Sequence, residues 1–276
     1  MFTRRQRMIQ LKTPAEIAKM RAAGLVVAEA LTRMRAAVAP GVSTADLDAV
    51  AAAVLREAGA TSSFLGYHGF PAVICASVND EIVHGIPKPD RVLRAGDVVS
   101  LDFGAIIDGW HGDAAITVPV GPIPAPVQRL LEVCEESMWR GFAAAELGGR
   151  LTDISHAIEA YVRSFGYGIV EGYGGHGIGT EMHQDPHVLN YGRPGRGPRL
   201  VKGLCLAVEP MINIGGHETR ELADRWTVVT VDGSVSAHFE HTFTLTEDGP
   251  YVLTALDGGA AKLASLGVRP GALANV

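Results

Sequence analysis

The 276-residue chain is short of several things, and each shortage closes off a class of protein. Its three cysteines, Cys75, Cys134 and Cys205, lie far apart with no CxxC pair. An odd, scattered set excludes a disulfide framework and a structural zinc ribbon, so any metal needs other ligands. Long apolar runs are missing too: each is broken by Arg, Asp or Gly well short of the ~18 residues that cross a bilayer. No transmembrane helix is expected. Positive charge is not in excess, since 24 Lys and Arg stand against 30 Asp and Glu, for a net charge of -6. That balance gives no general attraction for nucleic acid. Arg4, Arg5 and Arg7 form a small basic arm, read as solvated tail. The opening MFTRRQRMIQLKTP lacks the apolar region and small-residue cleavage site of a secretory signal, which implies the cytoplasm. What remains, 47% apolar and 20% charged, is a globular composition.

Against these shortages stand 33 glycines and 15 prolines, which punctuate the chain. Thr13, Pro14 and Glu16 predict a helix start, with an apolar pattern running to a stop at Pro40-Gly41. A second helix is predicted from Ser43 or Thr44 to about Ala58. After Pro126 the order recurs, with helices from Val127 to about Ala145 and from Thr152 to about Phe165. A shift of 107 residues lays Asp46-Leu47 on Asp153-Ile154, and Leu93, Gly96 and Asp102 on Leu200, Gly203 and Glu209. LRAGDVVSLD (93–102) and LVKGLCLAVE (200–209) thus share one plan, a turn glycine, a buried apolar strand and a terminal carboxylate. His84-Gly85-Ile86 recurs as His176-Gly177-Ile178. So long a period argues for two related halves, about 13–118 and 126–250, packed into one αβ unit after a short arm over 1–12, rather than for a solenoid. Only the short, stiff PVGPIPAP (119–126) lies between them.

The chemistry gathers around EGYGGHGIGTEMHQDPH (171–187), where five glycines surround His176 and precede His183. Glycine is costly to order, so the stretch needs a reason beyond local structure. In LDFGAIIDGWHGDAAIT (101–117) Asp108-Gly109 predicts a two-residue hairpin turn. With Ile107 opposite Trp110, Gly104 faces Asp113, and period-two alternation puts Asp102 on the same face as Asp113. Diagonal neighbours of this kind stand roughly 7 to 8 Å apart, within reach of a shared cation. Glu209 ends a continuous apolar run, and an unpaired carboxylate buried there would cost several kcal/mol or be forced to protonate. SAHFEHTFTLT (236–246) reads as one strand with Glu240 in its middle, a place that taken alone also suits a solvent-facing acid. Four carboxylates and one imidazole suit one or two Mn(II), Co(II), Fe(II) or Zn(II) ions, and two fit best. Two such ions would acidify a water between them.

Taken in order, MIQLKTPAEIAKMRAAG, GYHGFPAVICASVNDEIVHGIP, LDFGAIIDGWHGD, GYGGHGIGTEMHQDP, AVEPMI and SAHFEHT resemble the type I methionine aminopeptidases, from Met8 over nearly the whole chain. The resemblance implies a pita-bread fold, two pseudo-symmetric αβ halves around a curved antiparallel sheet. It places the metal ligands on Asp102, Asp113, His176, Glu209 and Glu240, with Asp113 and Glu240 bridging. It places His183 at the scissile carbonyl, His84 at the substrate amide, and Glu209 as a proton shuttle. A methionine pocket is implied at Phe64, Tyr67, Phe70, Cys75, Met182 and Trp226; here Phe64 replaces a small cysteine and Met182 an aromatic found in many members. The activity implied is removal of the initiator methionine when the second residue is small and uncharged. Its partners are N-terminal methionine peptides and nascent chains, with transient ribosome contact; no stretch of the sequence signals an interface, and a monomer is the default expectation. The 31 positions from 209 to 240 leave no room for the helical insert of type II enzymes. The scattered cysteines exclude the zinc-binding extension of eukaryotic type I enzymes. Two other readings stand beside it: a prolidase or proline aminopeptidase, which usually carries an additional N-terminal domain, and a non-catalytic pita-bread binding protein.

Overall fold

The computed structural model describes residues 9–273; the basic arm expected at Arg4, Arg5 and Arg7 lies outside them. In chain order the main elements are α1 (Pro14–Ala37), α2 (Thr44–Ala58), β1 (Thr61–Ser62), β2 (Ile74–Val78), β3 (Glu81–Val83), β4 (Val98–Ile107) and β5 (Trp110–Pro119). There follow α3 (Ala125–Ala143), α4 (Leu151–Arg163), β6 (Gly168–Ile169), β7 (Gly175–Gly177), β8 (Gln184–Val188), β9 (Cys205–Val208) and β10 (Met211–Asn213). The chain closes with β11 (Thr219–Glu221), β12 (Val228–Thr230), β13 (Ser236–His238), β14 (Glu240–Leu245), β15 (Pro250–Val252) and α5 (Ala260–Ser265). Among the described residues no helix is long and apolar enough to cross a membrane.

The first helix starts as its sequence predicts. The Thr13 hydroxyl accepts from the Glu16 N–H at 3.4 Å while the Glu16 carboxylate accepts from the Thr13 N–H at 2.8 Å, so two otherwise orphaned amides are satisfied. Ser43 and Asp46 repeat the device on α2, which Gly59 ends at φ 62°. The third helix starts two residues earlier than predicted, at Ala125, because Pro124 and Pro126 suit a first turn whose amides have no helical partner. The third and fourth helices each end two residues before their predicted stops, at Ala143 and Arg163.

The large antiparallel sheet runs β1-β4-β5-β14-β9-β7-β8, with β2 also on β4 and β15 on β14. Two three-stranded sheets, β13-β10-β6 and β11-β12-β3, stand beside it. Alternation along β4 divides the labour: Leu101, Phe103 and Ala105 are fully buried in the core with Val27, Leu31 and Met34 of α1, which leaves Asp102 on the other face. The helices thus cover one face of the sheet, and the opposite face is free to build a site.

Strand β7 is threaded between β8 and β9, and its glycines make that approach feasible. A Cβ at Gly175 would run into the Ala207 carbonyl oxygen, and one at Gly177 into that of Asp185. Both obstacles are backbone, which cannot rotate away. Gly175→Ala is therefore expected to destabilise by about 2 kcal/mol or more, lowering the thermal midpoint by roughly 4 to 8 °C in a melt of the full chain. A midpoint within a degree of the parent would show that β7 has room to spare.

Candidate metal centre and active site

Strand pairing alone brings the acids together. Ile107 pairs with Trp110 and Gly104 with Asp113, the register that the hairpin sequence predicts. Asp102 lies opposite Ala115, and Ala115 is in turn opposite Glu240 on β14. Directly opposed residues share a face, so Asp102, Ala115 and Glu240 form a row, with Asp113 two residues from Ala115 on the same side. Further across, Thr242 pairs with Ala207 and Ala207 with His176. Glu209, two residues beyond Ala207, and Glu240, two before Thr242, therefore look the same way. Five side chains from five segments converge on one face.

His176 is oriented for a ligand. Its Nδ1 lies 2.9 Å from the Gly177 carbonyl oxygen, which can only accept, so Nδ1 carries the proton and Nε2 keeps its lone pair. That Nε2 stands 3.6 Å from Glu209 Oε1 and 4.0 Å from Asp113 Oδ2. Donor atoms of Asp113, His176 and Glu240 lie within 4.8 Å of one another, as do those of Glu209, His238 and Glu240. Glu240 belongs to both sets. Asp102 belongs to neither.

Three of the four carboxylates each keep one oxygen without a partner. Asp102 Oδ1, Asp113 Oδ1 and Glu240 Oε1 are buried without a hydrogen bond. Burial raises all three carboxyls well above the usual range, and the neighbouring acids raise them further. Burial acts in the same sense on Glu209, but His238, His176 and His183 outweigh it and hold this carboxyl below its ordinary value. Uncompensated acids, a free imidazole lone pair and an oxygen-rich donor set fit divalent cations of the Mn(II) to Zn(II) series.

The exposures differ from the sequence expectation. Asp113 and Glu240 are the deeply buried acids, at 3% and 2%, whereas Asp102 and Glu209 are only partly buried. The strand expected over 236–246 is interrupted: Phe239 leaves the ladder, its N–H turning to the Pro210 carbonyl at 3.3 Å, so β13 pairs with β10 and β14 with β5 and β9. Glu240 consequently begins a strand instead of sitting inside one.

One cavity is lined by every predicted ligand together with His84, His183, Phe64, Tyr67, Phe70, Cys75, Met182 and Trp226. Its volume of about 140 Å³ suits a group near benzene in size. Phe70 meets Trp226 edge to face at 5.0 Å, and Phe64, Cys75 and Met182 close the apolar end. Burial and the nearby acids raise the Cys75 thiol well above its ordinary pKa, so it stays protonated and is a wall, not a nucleophile.

The two remaining predicted histidines line the same cavity. His84 follows β3 with φ 61°, a conformation uncommon outside glycine, and its ring meets Tyr173 and Trp226 edge-on. His183 has Nδ1 2.7 Å from the Tyr67 hydroxyl, and burial with the adjacent His176 ring brings its pKa down to about 4. A buried lysine steadies this segment: Lys12 Nζ donates to Gln184 Oε1 at 3.1 Å and to the Gln10 carbonyl at 2.9 Å, while Gln184 Nε2 donates to Gln10 Oε1 at 2.7 Å. Neither Lys12 nor Gln184 is signalled by sequence spacing. His238 was also missed, although it precedes Glu240 by two residues, the spacing that shares a face.

Since Asp102 is held among like charges, Asp102→Asn is expected to raise the thermal midpoint of chelator-treated protein by a few degrees, about 1 kcal/mol, while weakening Co(II) binding. Melts and calorimetric titrations of both chains test this. A lower midpoint would mean that the acids do not oppose folding.

The sequence pattern of metallopeptidase family M24 matches residues 18–247. The chain is 54% identical over 259 residues to methionine aminopeptidase 1 of Mycobacterium tuberculosis, covering 91% of this chain and 97% of that protein. It is 49% identical over 247 residues to methionine aminopeptidase 1 of Bacillus subtilis, covering 90% and 99%. The crystal structure of methionine aminopeptidase from Thermotoga maritima superposes with a TM-score of 0.88 at 42% identity, covering 90% of this chain and 99% of that one. Prolidase from Pyrococcus furiosus shares the fold, with a TM-score of 0.73 at 21% identity, but this chain spans 65% of its length. The chain belongs to the type I methionine aminopeptidases of metallopeptidase family M24, metal-dependent exopeptidases of the pita-bread fold.

Proposed function

We propose that the protein removes the N-terminal methionine from peptides and nascent chains whose second residue is small and uncharged, using two divalent ions held by Asp102, Asp113, His176, Glu209 and Glu240. The observation that carries this reading is the cavity that joins those five side chains to an apolar end. Manganese, cobalt, iron or zinc suits the donors. When bound, the ions supply an acidified water at neutral pH and a positive site for the substrate's free α-amine.

The chain's own residues do the rest. Phe64, Phe70, Cys75, Met182 and Trp226 take the methionine side chain, whose thioether packs well on aromatic walls. Burial and nearby Glu181 raise the Tyr67 phenol, so it keeps its proton and donates to His183 Nδ1. Nε2 of His183 is then the N–H end, turned to the scissile carbonyl and to the negative charge that grows on its oxygen. His84, kept neutral by burial, serves the amide on the leaving side. Glu209 moves the proton from the attacking water to the departing amine.

All these residues come from one chain, which suits a monomer, and three free, buried cysteines suit a reducing cytoplasm where nascent chains leave the ribosome.

Metal-stripped protein should release methionine from Met-Ala-Ser only when Mn(II) or Co(II) is titrated back, and should leave Ala-Pro-Ala intact. Cleavage of the proline peptide would move the reading to the prolidases, and silence on both with metal bound would leave a binding protein. His176→Ala is expected to lose one ion in calorimetry together with nearly all turnover. His183→Ala should keep both ions and lose about 10²- to 10³-fold in kcat, the usual effect of deleting one donor to a developing oxyanion. Loss of an ion in the second variant would make His183 a ligand instead.

A further inference from the structure

His238 is the one buried imidazole at the site that the family resemblance leaves without a task. It is 1% exposed, and its Nε2 has no hydrogen-bond partner. A buried polar atom left in that state is costly, so the position calls for an explanation. Nε2 points at Glu209, 3.6 Å from Oε2, on the side of the carboxylate opposite His176, whose Nε2 is 3.6 Å from Oε1. Glu209 is bracketed by two imidazoles, one to each oxygen.

The backbone of His238 is fixed where it stands. Its N–H donates to Thr117 Oγ1 at 2.9 Å, and the Thr117 hydroxyl donates back to the His238 carbonyl at 2.8 Å. Because Thr117 has one proton and spends it there, Ser100, 2.9 Å away, must be the donor to Thr117. Three strands, β4, β5 and β13, thereby hold His238 in place. Glu209 follows the end of β9, and its carbonyl accepts from Asn190 Nδ2 at 3.0 Å.

We propose that His238 is a positioning residue for Glu209, its Nε2–H donating to Oε2 so that Oε1 is turned toward His176 and the metal centre. This rests on the metal-centre reading above. A carboxylate that binds an ion through one oxygen needs a donor on the other to hold its rotation, and His238 offers the buried N–H that Oε2 lacks. Closing the gap takes a movement of roughly half an ångström, within one side-chain rotation. His238 lines the cavity beside Glu209 and Tyr173 and is not among the residues that line the apolar end with Phe64 and Met182. Its influence should therefore fall on metal affinity and kcat and leave KM and methionine selectivity alone.

Two variants separate positioning from packing. His238→Leu fills the space and removes the donor; His238→Gln places an amide N–H at the same bond distance from Cβ as Nε2. Calorimetric titration with Co(II) should show the leucine variant binding about 10- to 100-fold more weakly, with a matching fall in kcat on Met-Ala-Ser and KM within about twofold. The glutamine variant should stay within about threefold of the parent in both. Equal Co(II) affinity in parent and leucine variant overturns the proposal, and so does a glutamine variant as weak as the leucine one, which would make the imidazole itself a ligand. If the leucine variant does not fold, the ¹⁵N spectrum of histidine-labelled parent protein decides: His238 should keep its Nε2 proton when Zn(II) is added, and losing it overturns the proposal. Co(II) affinity is read whether or not the peptide is cut, so this proposal and the functional reading fail separately.

Discussion

Mutual repulsion among carboxylates in a cavity largely shut off from water is the constraint to which the surrounding structure answers. Asp102, Asp113 and Glu240 are each raised first by burial and then by neighbouring acids, Glu209 among them in every case. Left on flexible loops they would splay apart, because separation and hydration both lower their energy. They are instead carried on β4, β5 and β14, whose ladders set their spacing. The other face of the same strands holds them in place: Leu101 and Phe103 lie fully buried against the helices, so an acid cannot withdraw without dragging core residues into water. Favourable burial on one face sustains an unfavourable arrangement on the other, and a divalent cation removes the imbalance.

The histidines around the acids share a side chain and differ in role because their second nitrogens meet different partners. At His176 the Gly177 carbonyl takes the Nδ1 proton and leaves Nε2 as a lone pair. At His183 the Tyr67 phenol occupies Nδ1 and turns Nε2 into a donor. His84 is placed by its backbone, held at positive φ between the edges of Tyr173 and Trp226. Burial keeps all three neutral, which preserves the distinction between donor and acceptor that a second proton would erase.

Parts of this arrangement were legible because they depend on neighbours in sequence. The caps at Thr13 and Ser43 and the pairing of Ile107 with Trp110 involve groups a few residues apart, and their geometry follows from helix and hairpin rules. The alignment of Asp102 with Asp113 followed from alternation in a hairpin joined by a two-residue turn. Glu240 was harder, since the chain changes sheets at Phe239 and period-two reasoning does not register such a break. The apolar end of the cavity was visible only through family resemblance: Phe64, Met182 and Trp226 come from three distant loops that no periodicity connects. The link from Lys12 through Gln184 to Gln10 had no signal at all, because a polar side chain's partner across 172 positions is set by packing.

The sequence by itself determined the kinds of donor available, the absence of a thiol framework, the places where helices begin, and the face on which the first two acids lie. These are matters of composition and of contacts within a few residues, where covalent geometry restricts the chain to a few conformations. Tertiary structure decided which acids are deepest, which oxygen of Glu209 faces which imidazole, and that His238 stands behind it. Those outcomes turn on distances of a few ångströms between strands far apart in the chain, and only the simultaneous packing of the whole core sets them.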